Sequence, residues 1–138
     1  MSAKDIYHDH VREALKNDGW TITDDPYSFS VGKVDFRIDL GAEKLLAAEK
    51  GNHKIAVEIK SFIKASPVQD MHEAVGKYEI YSLALDFNEP ERELYLAIPK
   101  RAYDSFFQRP FIQALIKHKK IKLIVYRLDK TEISTWIK

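Results

Sequence analysis

The stretch KIAVEIKSF, residues 54–62, places two charged side chains inside a segment that is otherwise typical of a buried β-strand. Side chains alternate between the two faces of a strand, so Glu58 and Lys60 project from the same face. The opposite face carries the apolar residues Ile55, Val57 and Ile59. A lone buried charge is costly unless it is paired or bound to a ligand. This stretch therefore predicts either an ion pair at the end of a sheet or a binding site.

Periodicity along the rest of the chain predicts a mixed sheet flanked by helices. Residues 3–18 follow helical spacing, and residues 33–40 alternate as a strand in which Val34 shares the apolar face. A long helix is predicted from Pro67 with Ser66 as its N-cap. The remaining segments are a hairpin turn at 51–52, a strand at 92–99, a helix interrupted near Pro110 and two final strands. The predicted class is α/β, with mixed α+β character.

Composition limits the size and the chemistry of the protein. The chain has 138 residues, of which 45% are hydrophobic, and this favours a single domain over residues 1–138. The absence of cysteine excludes disulfides, thiolate metal sites and a cysteine nucleophile. With a net charge of +1, a DNA-binding surface would have to be a local patch. No signal peptide or membrane-spanning run is apparent, so we expect a soluble, cytoplasmic protein.

Glu58 and Lys60 suit metal-assisted chemistry on a phosphodiester. A hard cation such as Mg²⁺, or Mn²⁺ in its place, prefers carboxylate oxygens and keeps several water molecules. With Glu58 as one ligand, Lys60 could orient the attacking water or stabilise charge on a phosphate. The simpler alternative is a partly buried ion pair between the two side chains.

A second acidic ligand is expected upstream of this strand. Asp39 is the leading candidate because it lies on the polar side of the alternating segment at 33–40. Asp35 and Glu49 are the alternatives. A third acid could come from the first helix, where Glu13 lies on the polar side.

An acid, a hairpin and then Glu-x-Lys on a strand resemble the PD-(D/E)xK nuclease superfamily. The whole chain is also similar to the XisH family, the cyanobacterial fdxN element excision controlling factors. The segments that carry this similarity are AKDIYHDHVREALKNDGWTITDDPY, AVEIKSF, GKYEIY and ELYLAIP.

The resemblance implies a restriction-endonuclease-like fold and a role in programmed DNA rearrangement during heterocyst development. It also implies two partners, a XisI-like protein and a site-specific recombinase. Carried onto this sequence, the metal-binding acids are Asp39 and Glu58, the catalytic lysine is Lys60, and the helix-borne acid is Glu13. Some superfamily members have Gln-x-x-x-Tyr on the next helix, where this chain has Lys77 in place of glutamine.

Two further features have simple structural explanations. The basic run at 117–122 could contact phosphates, but it is better explained as the C-terminus of a helix, where cations are favoured. A set of aromatic residues is predicted to pack against the sheet rather than to form a stacking surface. These residues are Tyr78, Tyr81, Phe106, Phe107 and Phe111.

Three functions follow from these features. The first is a Mg²⁺-dependent endonuclease or nicking enzyme, with homodimers possible because both strands of DNA would be cut. The second is a non-catalytic accessory protein that uses a nuclease-like fold to bind a XisI-like protein or a recombinase. The third is a generic α/β domain in which Glu58 and Lys60 form a structural pair.

Overall fold

A six-stranded mixed β-sheet with helices on both faces dominates the computed structural model, which describes residues 3–36 and 45–138. The N-terminal elements are α1 (Ala3–Asn17), β1 (Thr21–Asp24), β2 (Phe29–Val31), β3 (Val34–Phe36), β4 (Leu45–Lys50) and β5 (His53–Ile59). The C-terminal elements are α2 (Pro67–Asn88), β6 (Arg92–Pro99), α3 (Lys100–Asp104), a 3₁₀ turn (Phe106–Gln108), α4 (Pro110–His118), β7 (Leu123–Arg127) and β8 (Glu132–Ile137).

The strand order of the large sheet is β1-β4-β5-β6-β7-β8. The three central strands β5, β6 and β7 are parallel. Strand β4 pairs antiparallel with β5, β8 with β7, and the edge strand β1 with β4. Parallel pairing requires crossover connections, which α2 supplies between β5 and β6 and α3 with α4 supply between β6 and β7. The predicted mixed sheet flanked by helices is confirmed.

The two faces of the sheet bury separate apolar clusters. On one face, Val11 and Leu15 of α1 pack against Val57 and Ile59 of β5. On the other face, α2 and α4 cover a larger cluster that includes Ala56 of β5. The alternation along β5 therefore assigns Glu58 and Lys60 to the face that α2 covers.

The start of α2 is fixed by an N-cap that the sequence predicts. The hydroxyl oxygen of Ser66 accepts a hydrogen bond from the backbone N–H of Gln69 at 3.2 Å, and Pro67 occupies the first turn. The helix then continues without interruption to Asn88. This places the first turns of α2 close to the end of β5, only a short loop away.

The predictions for residues 33–40 and for Phe111 have different outcomes. Of the strand predicted over residues 33–40, the described part is β3, which pairs with β2 in a separate two-stranded sheet, and residues 37–40 lie outside the described residues. Val34 is 57% exposed there, since alternation shows which residues share a face but not whether another layer covers that face. Phe111 is 75% exposed on α4, whereas Phe106 and Phe107 are buried as predicted.

The basic run lies at the end of α4, as predicted, where the N–H of Lys119 still bonds the carbonyl of Leu115. Among residues 3–36 and 45–138, no helix has both the length and the apolar character needed to cross a bilayer.

Candidate functional site

Glu58 lies in the interior of the sheet, near the carboxyl end of β5. It is in register with Leu45 on β4 and with Leu96 on β6, so strands flank it on both sides. Its side chain is only 3% exposed. It projects toward α2 because it alternates with Val57 and Ile59, which face α1. The predicted buried position of this carboxylate is therefore observed.

Lys60 follows directly after β5 and is held in place by the neighbouring strand. Its backbone N–H donates to the carbonyl of Ala97 at 3.0 Å, and its side chain is 4% exposed. The ammonium Nζ lies 2.6 Å from Oε2 of Glu73 and 3.8 Å from Oδ1 of Asp70, both on α2. We refer to Glu58, Lys60, Asp70 and Glu73 as the β5–α2 charge cluster.

Asp70 is the most deeply buried acid of this cluster. Its side chain is 1% exposed, and no residue in the described part of the chain donates a hydrogen bond to either carboxylate oxygen. A buried carboxylate without hydrogen bonds is destabilising unless a cation is close by. Lys60 supplies a cation at 3.8 Å, and its closer partner is Glu73.

Glu73 closes the cluster at its solvent side, where its side chain is 35% exposed. The hydrogen bond from Lys60 is the main reason that the pKa of Glu73 falls from 4.5 to about 2. Lys64 adds to this effect from 3.4 Å. Glu73 is therefore ionised across the physiological pH range, and it neutralises much of the charge on Lys60.

Tyr78, two turns further along α2, lies next to the cluster. Its hydroxyl donates to the carbonyl of Leu94 at 3.0 Å and accepts from the backbone N–H of Lys122 at 3.0 Å. Burial raises the pKa of Tyr78, and the negative charge of Glu58 contributes in the same direction. The negative charge of Glu58 thus acts on the hydroxyl of Tyr78, which lies between α2 and the sheet.

The alternative acids Glu49 and Asp35 are placed elsewhere. Glu49 on β4 is in register with Lys54, four residues before Glu58 on β5, so about 13 Å of strand separates it from Glu58. Asp35 is exposed on β3 and accepts a hydrogen bond from the hydroxyl of Ser30. The structure therefore does not bring Glu49 to the cluster, and it places Asp35 in the small hairpin.

The two remaining predicted residues have different outcomes. Asp39 lies outside the described residues. Glu13 is 54% exposed on α1, where its carboxylate lies 3.3 Å from Lys16. Helix α1 packs on the face of the sheet that carries Val57 and Ile59, which is opposite to the face that carries Glu58. The structure therefore does not bring Glu13 together with Glu58 and Lys60.

Sequence reasoning missed Asp70 and Glu73. The sequence prediction places the partner acids upstream of the Glu-x-Lys strand, whereas these two residues follow it. The available signal was an acidic pair three residues apart, one helical turn, directly after the Ser66-Pro67 helix start. A helix that directly follows a strand and packs against it places its first turn next to the carboxyl end of that strand.

Basic side chains surround the same end of the parallel strands. Arg101 follows β6 and donates to the carbonyls of Ser61 at 2.9 Å and Phe62 at 3.1 Å. Lys100 begins α3 directly after β6, and Arg127 is the last residue of the neighbouring strand β7. Carboxyl ends of parallel strands are the usual location of ligand sites in α/β sheets.

The donor atoms of the charge cluster are of the kind that Mg²⁺ or Mn²⁺ prefers. Asp70 and Glu73 lie within 4 Å of the ammonium of Lys60, and the buried Glu58 projects from the same face of β5 as Lys60. Within the described residues, no group of three or more acids or histidines is arranged to hold a metal ion. Mg²⁺ is often bound by one or two carboxylates with water and phosphate completing its shell, and Glu58 and Asp70 are the buried carboxylates of this cluster.

Comparison with known proteins connects this geometry to a family. The family model of the XisH protein matches residues 1–134. The chain belongs to the XisH family. No curated protein sequence matches it.

Two crystal structures have the same fold as this XisH family member. One is an XisH family protein from Nostoc punctiforme PCC 73102, with a TM-score of 0.90 and 41% identity, covering 97% of this chain and 100% of that chain. The other is an fdxN element excision controlling factor protein from Anabaena variabilis, with a TM-score of 0.90 and 44% identity, covering 97% of this chain and 99% of that chain. The XisH resemblance inferred from the sequence is confirmed.

Proposed function

We propose that this XisH family member controls the excision of a DNA element and that its β5–α2 charge cluster is a site of metal-dependent phosphodiester hydrolysis. The description of the Anabaena variabilis relative supports the first part. The second part rests on one observation, the burial of Glu58 and Lys60 side by side at the carboxyl end of a central parallel strand. The restriction-endonuclease-like fold and the PD-(D/E)xK assignment remain predictions of the resemblance.

In this proposal Glu58 is a metal ligand, and Asp39 and Asp70 are candidates for the second carboxylate. A bound Mg²⁺ or Mn²⁺ would supply Lewis acidity and lower the pKa of a water molecule. Lys60 would stabilise the negative charge that develops on the phosphate. Glu73 would have to release the ammonium, and its partial exposure leaves room for that movement.

The second candidate is a non-catalytic accessory protein that docks a XisI-like protein or a recombinase. The observation that favours it is the 2.6 Å contact between Lys60 and Glu73. A lysine held this closely by a carboxylate is less available to a phosphate. In this alternative the charge cluster would stabilise the end of β5 and the start of α2.

A nicking assay separates the two candidates. Purified protein is incubated with supercoiled plasmid in Mg²⁺ or Mn²⁺, beside the variants Glu58→Gln, Asp39→Asn and Lys60→Gln. We expect metal-dependent conversion to open-circular or linear DNA by the wild type and a loss of about 100-fold or more in the variants.

Matched controls use residues of the same type that lie away from the cluster. Glu49→Gln on β4 and Lys54→Gln on β5 should retain wild-type cleavage, since β4 and β5 place them about 13 Å or more from Glu58. Thermal unfolding of each variant establishes that it is folded. Absence of cleavage by the folded wild type with either metal would favour the accessory role.

A further inference from the structure

Both tryptophans of the chain meet near the amino ends of the parallel strands, opposite the end that carries the charge cluster. Trp20 directly precedes β1 and Trp136 lies on β8, and these are the two edge strands of the large sheet. Their ring centroids are 5.6 Å apart, and Trp136 also packs edge-on against the buried ring of Tyr95 at 5.1 Å. Three aromatic rings from separate elements are thus brought together on the α1 face of the sheet.

These three rings line an open cavity with a volume of about 300 Å³. Small-molecule sites have volumes of about 300–1,000 Å³, so this cavity has room for one small ligand. Both indoles are only partly buried, so part of each ring system is accessible from the cavity. We call this space the tryptophan cavity. Its remaining wall is formed mainly by polar and charged residues, namely Asp18, Lys50, His53, Ile55, Glu93 and Lys138.

Lys50 is held at the edge of the tryptophan cavity by the turn that follows α1. Its ammonium Nζ lies 5.9 Å from the centre of the Trp20 ring and donates to the backbone carbonyl of Asp18 at 2.6 Å. Its stem crosses Gly19, where a Cβ would lie 3.2 Å from Cε of the lysine. An ammonium has three N–H donors, so the bond to Asp18 leaves others for a ligand. The fold therefore fixes a positive charge next to an aromatic ring.

The two acids of the cavity already have partners. The carboxylate of Asp18 accepts a hydrogen bond from the indole N–H of Trp20 at 3.2 Å. The carboxylate of Glu93 accepts from Nζ of Lys122 at 3.0 Å and from the hydroxyl of Tyr95 at 3.2 Å. The bond from Lys122 is the main reason that the pKa of Glu93 is lowered. These contacts reduce the repulsion that either carboxylate would exert on an anionic ligand.

Ammonium groups lie over the aromatic rings of the cavity. Besides Lys50, Lys122 lies 5.9 Å from the centre of the Tyr95 ring. Lys138 also lines the cavity, and its positive charge acts on Glu93. A cationic ligand would have to compete with these lysines for the rings, whereas an anionic ligand would be attracted to them. Aromatic rings flanked by cations suit a nucleotide, since its base can stack while its phosphate pairs with lysine.

We propose that the tryptophan cavity binds a nucleotide unit, with its base against the tryptophan pair and its phosphate at Lys50. A free mononucleotide and one nucleotide of an unpaired strand both present this chemistry, whereas the bases of a duplex are stacked inside it. The site is separate from the charge cluster. His53 at the start of β5 is about 17 Å of strand away from Glu58, and the cavity lies on the other face of the sheet.

Tryptophan fluorescence tests this proposal directly, because the chain has only two tryptophans and both line the cavity. The full chain is titrated in EDTA, which prevents metal-dependent cleavage. The ligands are a thymidylate strand of about ten nucleotides, thymidine monophosphate and inorganic tripolyphosphate, which has no base. We expect quenching by the strand or the mononucleotide and no comparable quenching by tripolyphosphate. Tighter binding of the strand identifies single-stranded nucleic acid as the ligand, and equal binding per nucleotide identifies the free nucleotide.

Two variants test the two parts of the site. Trp136→Leu removes one ring and keeps Trp20 as the reporter, and Lys50→Gln removes the ammonium. Each should weaken binding of the labelled strand by about fivefold or more, measured by fluorescence anisotropy. The control Lys117→Gln makes the same charge change at an exposed position on α4 and should bind as the wild type does. Circular dichroism establishes that each variant is folded, and Lys50→Gln, whose side chain is exposed, decides if Trp136→Leu does not fold.

Four results would overturn the proposal. The first is that neither the strand nor the mononucleotide quenches the emission, and the second is that tripolyphosphate quenches it as strongly as they do. The third is that either site variant, once shown to be folded, binds the strand as tightly as the wild type. The fourth is that Lys117→Gln weakens binding as much as Lys50→Gln, which would reveal attraction to the protein's charge at large.

Discussion

Lys60 and Glu73 form a contact of 2.6 Å in which the cation is fixed and the anion is accessible. The lysine side chain is 4% exposed, whereas the glutamate side chain is 35% exposed. Opening this contact therefore requires only a rotation of Glu73 toward solvent. The pair thus holds Lys60 in place when nothing else is bound and leaves a simple route by which a phosphate could replace the carboxylate.

Replacing Glu73 by glutamine should lower the free energy of unfolding by about 1 kcal/mol at pH 7, because Lys60 keeps Asp70 as a second anion and solvent screens the exposed pair. The pKa of Glu73 is depressed from 4.5 to about 2, so its stabilising effect is present above pH 4.5 and is lost as the pH falls toward 2. Urea unfolding of both proteins at pH 7, 5 and 3 measures how far the difference between their free energies of unfolding shrinks as the pH falls.

The matched control for Glu73 is Glu91→Gln, which breaks an exposed contact of 3.7 Å with Lys54 and should change stability by less than about 0.5 kcal/mol. A difference between wild type and Glu73→Gln that stays constant from pH 7 to pH 3 would contradict the assigned role of the carboxylate.

Replacing Glu58 by glutamine should leave the metal-free protein as stable as the wild type or more stable. The change removes a buried carboxylate next to a cluster that already holds Asp70 and Glu73, and a neutral amide is easier to bury. Mg²⁺ at millimolar concentration should raise the Tm of the wild type by several degrees and leave that of Glu58→Gln unchanged. Thermal scans with and without Mg²⁺, at matched ionic strength, measure both effects. A loss of a few kcal/mol in the metal-free variant would instead identify a structural ion pair.

Replacing Tyr78 by phenylalanine should lower the free energy of unfolding by about 2–3 kcal/mol. The hydroxyl connects α2 to two places in the sheet, accepting from the N–H of Lys122 and donating to the carbonyl of Leu94. Both backbone groups would lose a buried partner. Urea denaturation provides the value, and Tyr103→Phe is the control because its hydroxyl has no hydrogen bond within the described residues. A cost below about 0.5 kcal/mol for Tyr78→Phe would show that water replaces these bonds.

Replacing Arg92 by methionine should lower the free energy of unfolding by about 3 kcal/mol. The guanidinium is largely buried, donates to the carbonyl of Ile55 at 2.9 Å and pairs with Glu89 at 3.1 Å. Methionine keeps the apolar volume but removes the donor to the Ile55 carbonyl and the cation beside Glu89, which keeps its hydrogen bond from the hydroxyl of Tyr27. Replacing Glu89 as well, by glutamine, should recover part of the loss, and a double-mutant cycle measures that coupling. Purely additive effects would contradict the pairing.

The sequence predicts the scaffold well where local chemistry determines it. Ser66 followed by Pro67 fixes the start of α2, and the alternation of Ile55, Val57 and Ile59 fixes which face of β5 turns toward α1. The charged pair Glu58 and Lys60 is buried at the predicted place. Each of these features depends on neighbours in the chain, so a single sequence is enough to find it.

Features that depend on distant contacts were harder to predict. Val34 alternates correctly but belongs to a separate hairpin, because the pattern does not specify which strand is its partner. Asp70 and Glu73 look like ordinary helix residues until α2 is folded back on β5. Phe111 is a large apolar residue of the kind that usually lies in a core, yet its position on α4 leaves it 75% exposed.

One uninterrupted helix connects Asp70 with Phe87, a span of about 26 Å. The helix has no proline after its first turn, so a tilt imposed at Phe87 would be transmitted along the axis as in a lever. Any displacement at Phe87 would therefore also move Asp70 and Glu73, the two carboxylates in contact with Lys60. The straight helix thus couples the position of its far end to the setting of the lysine.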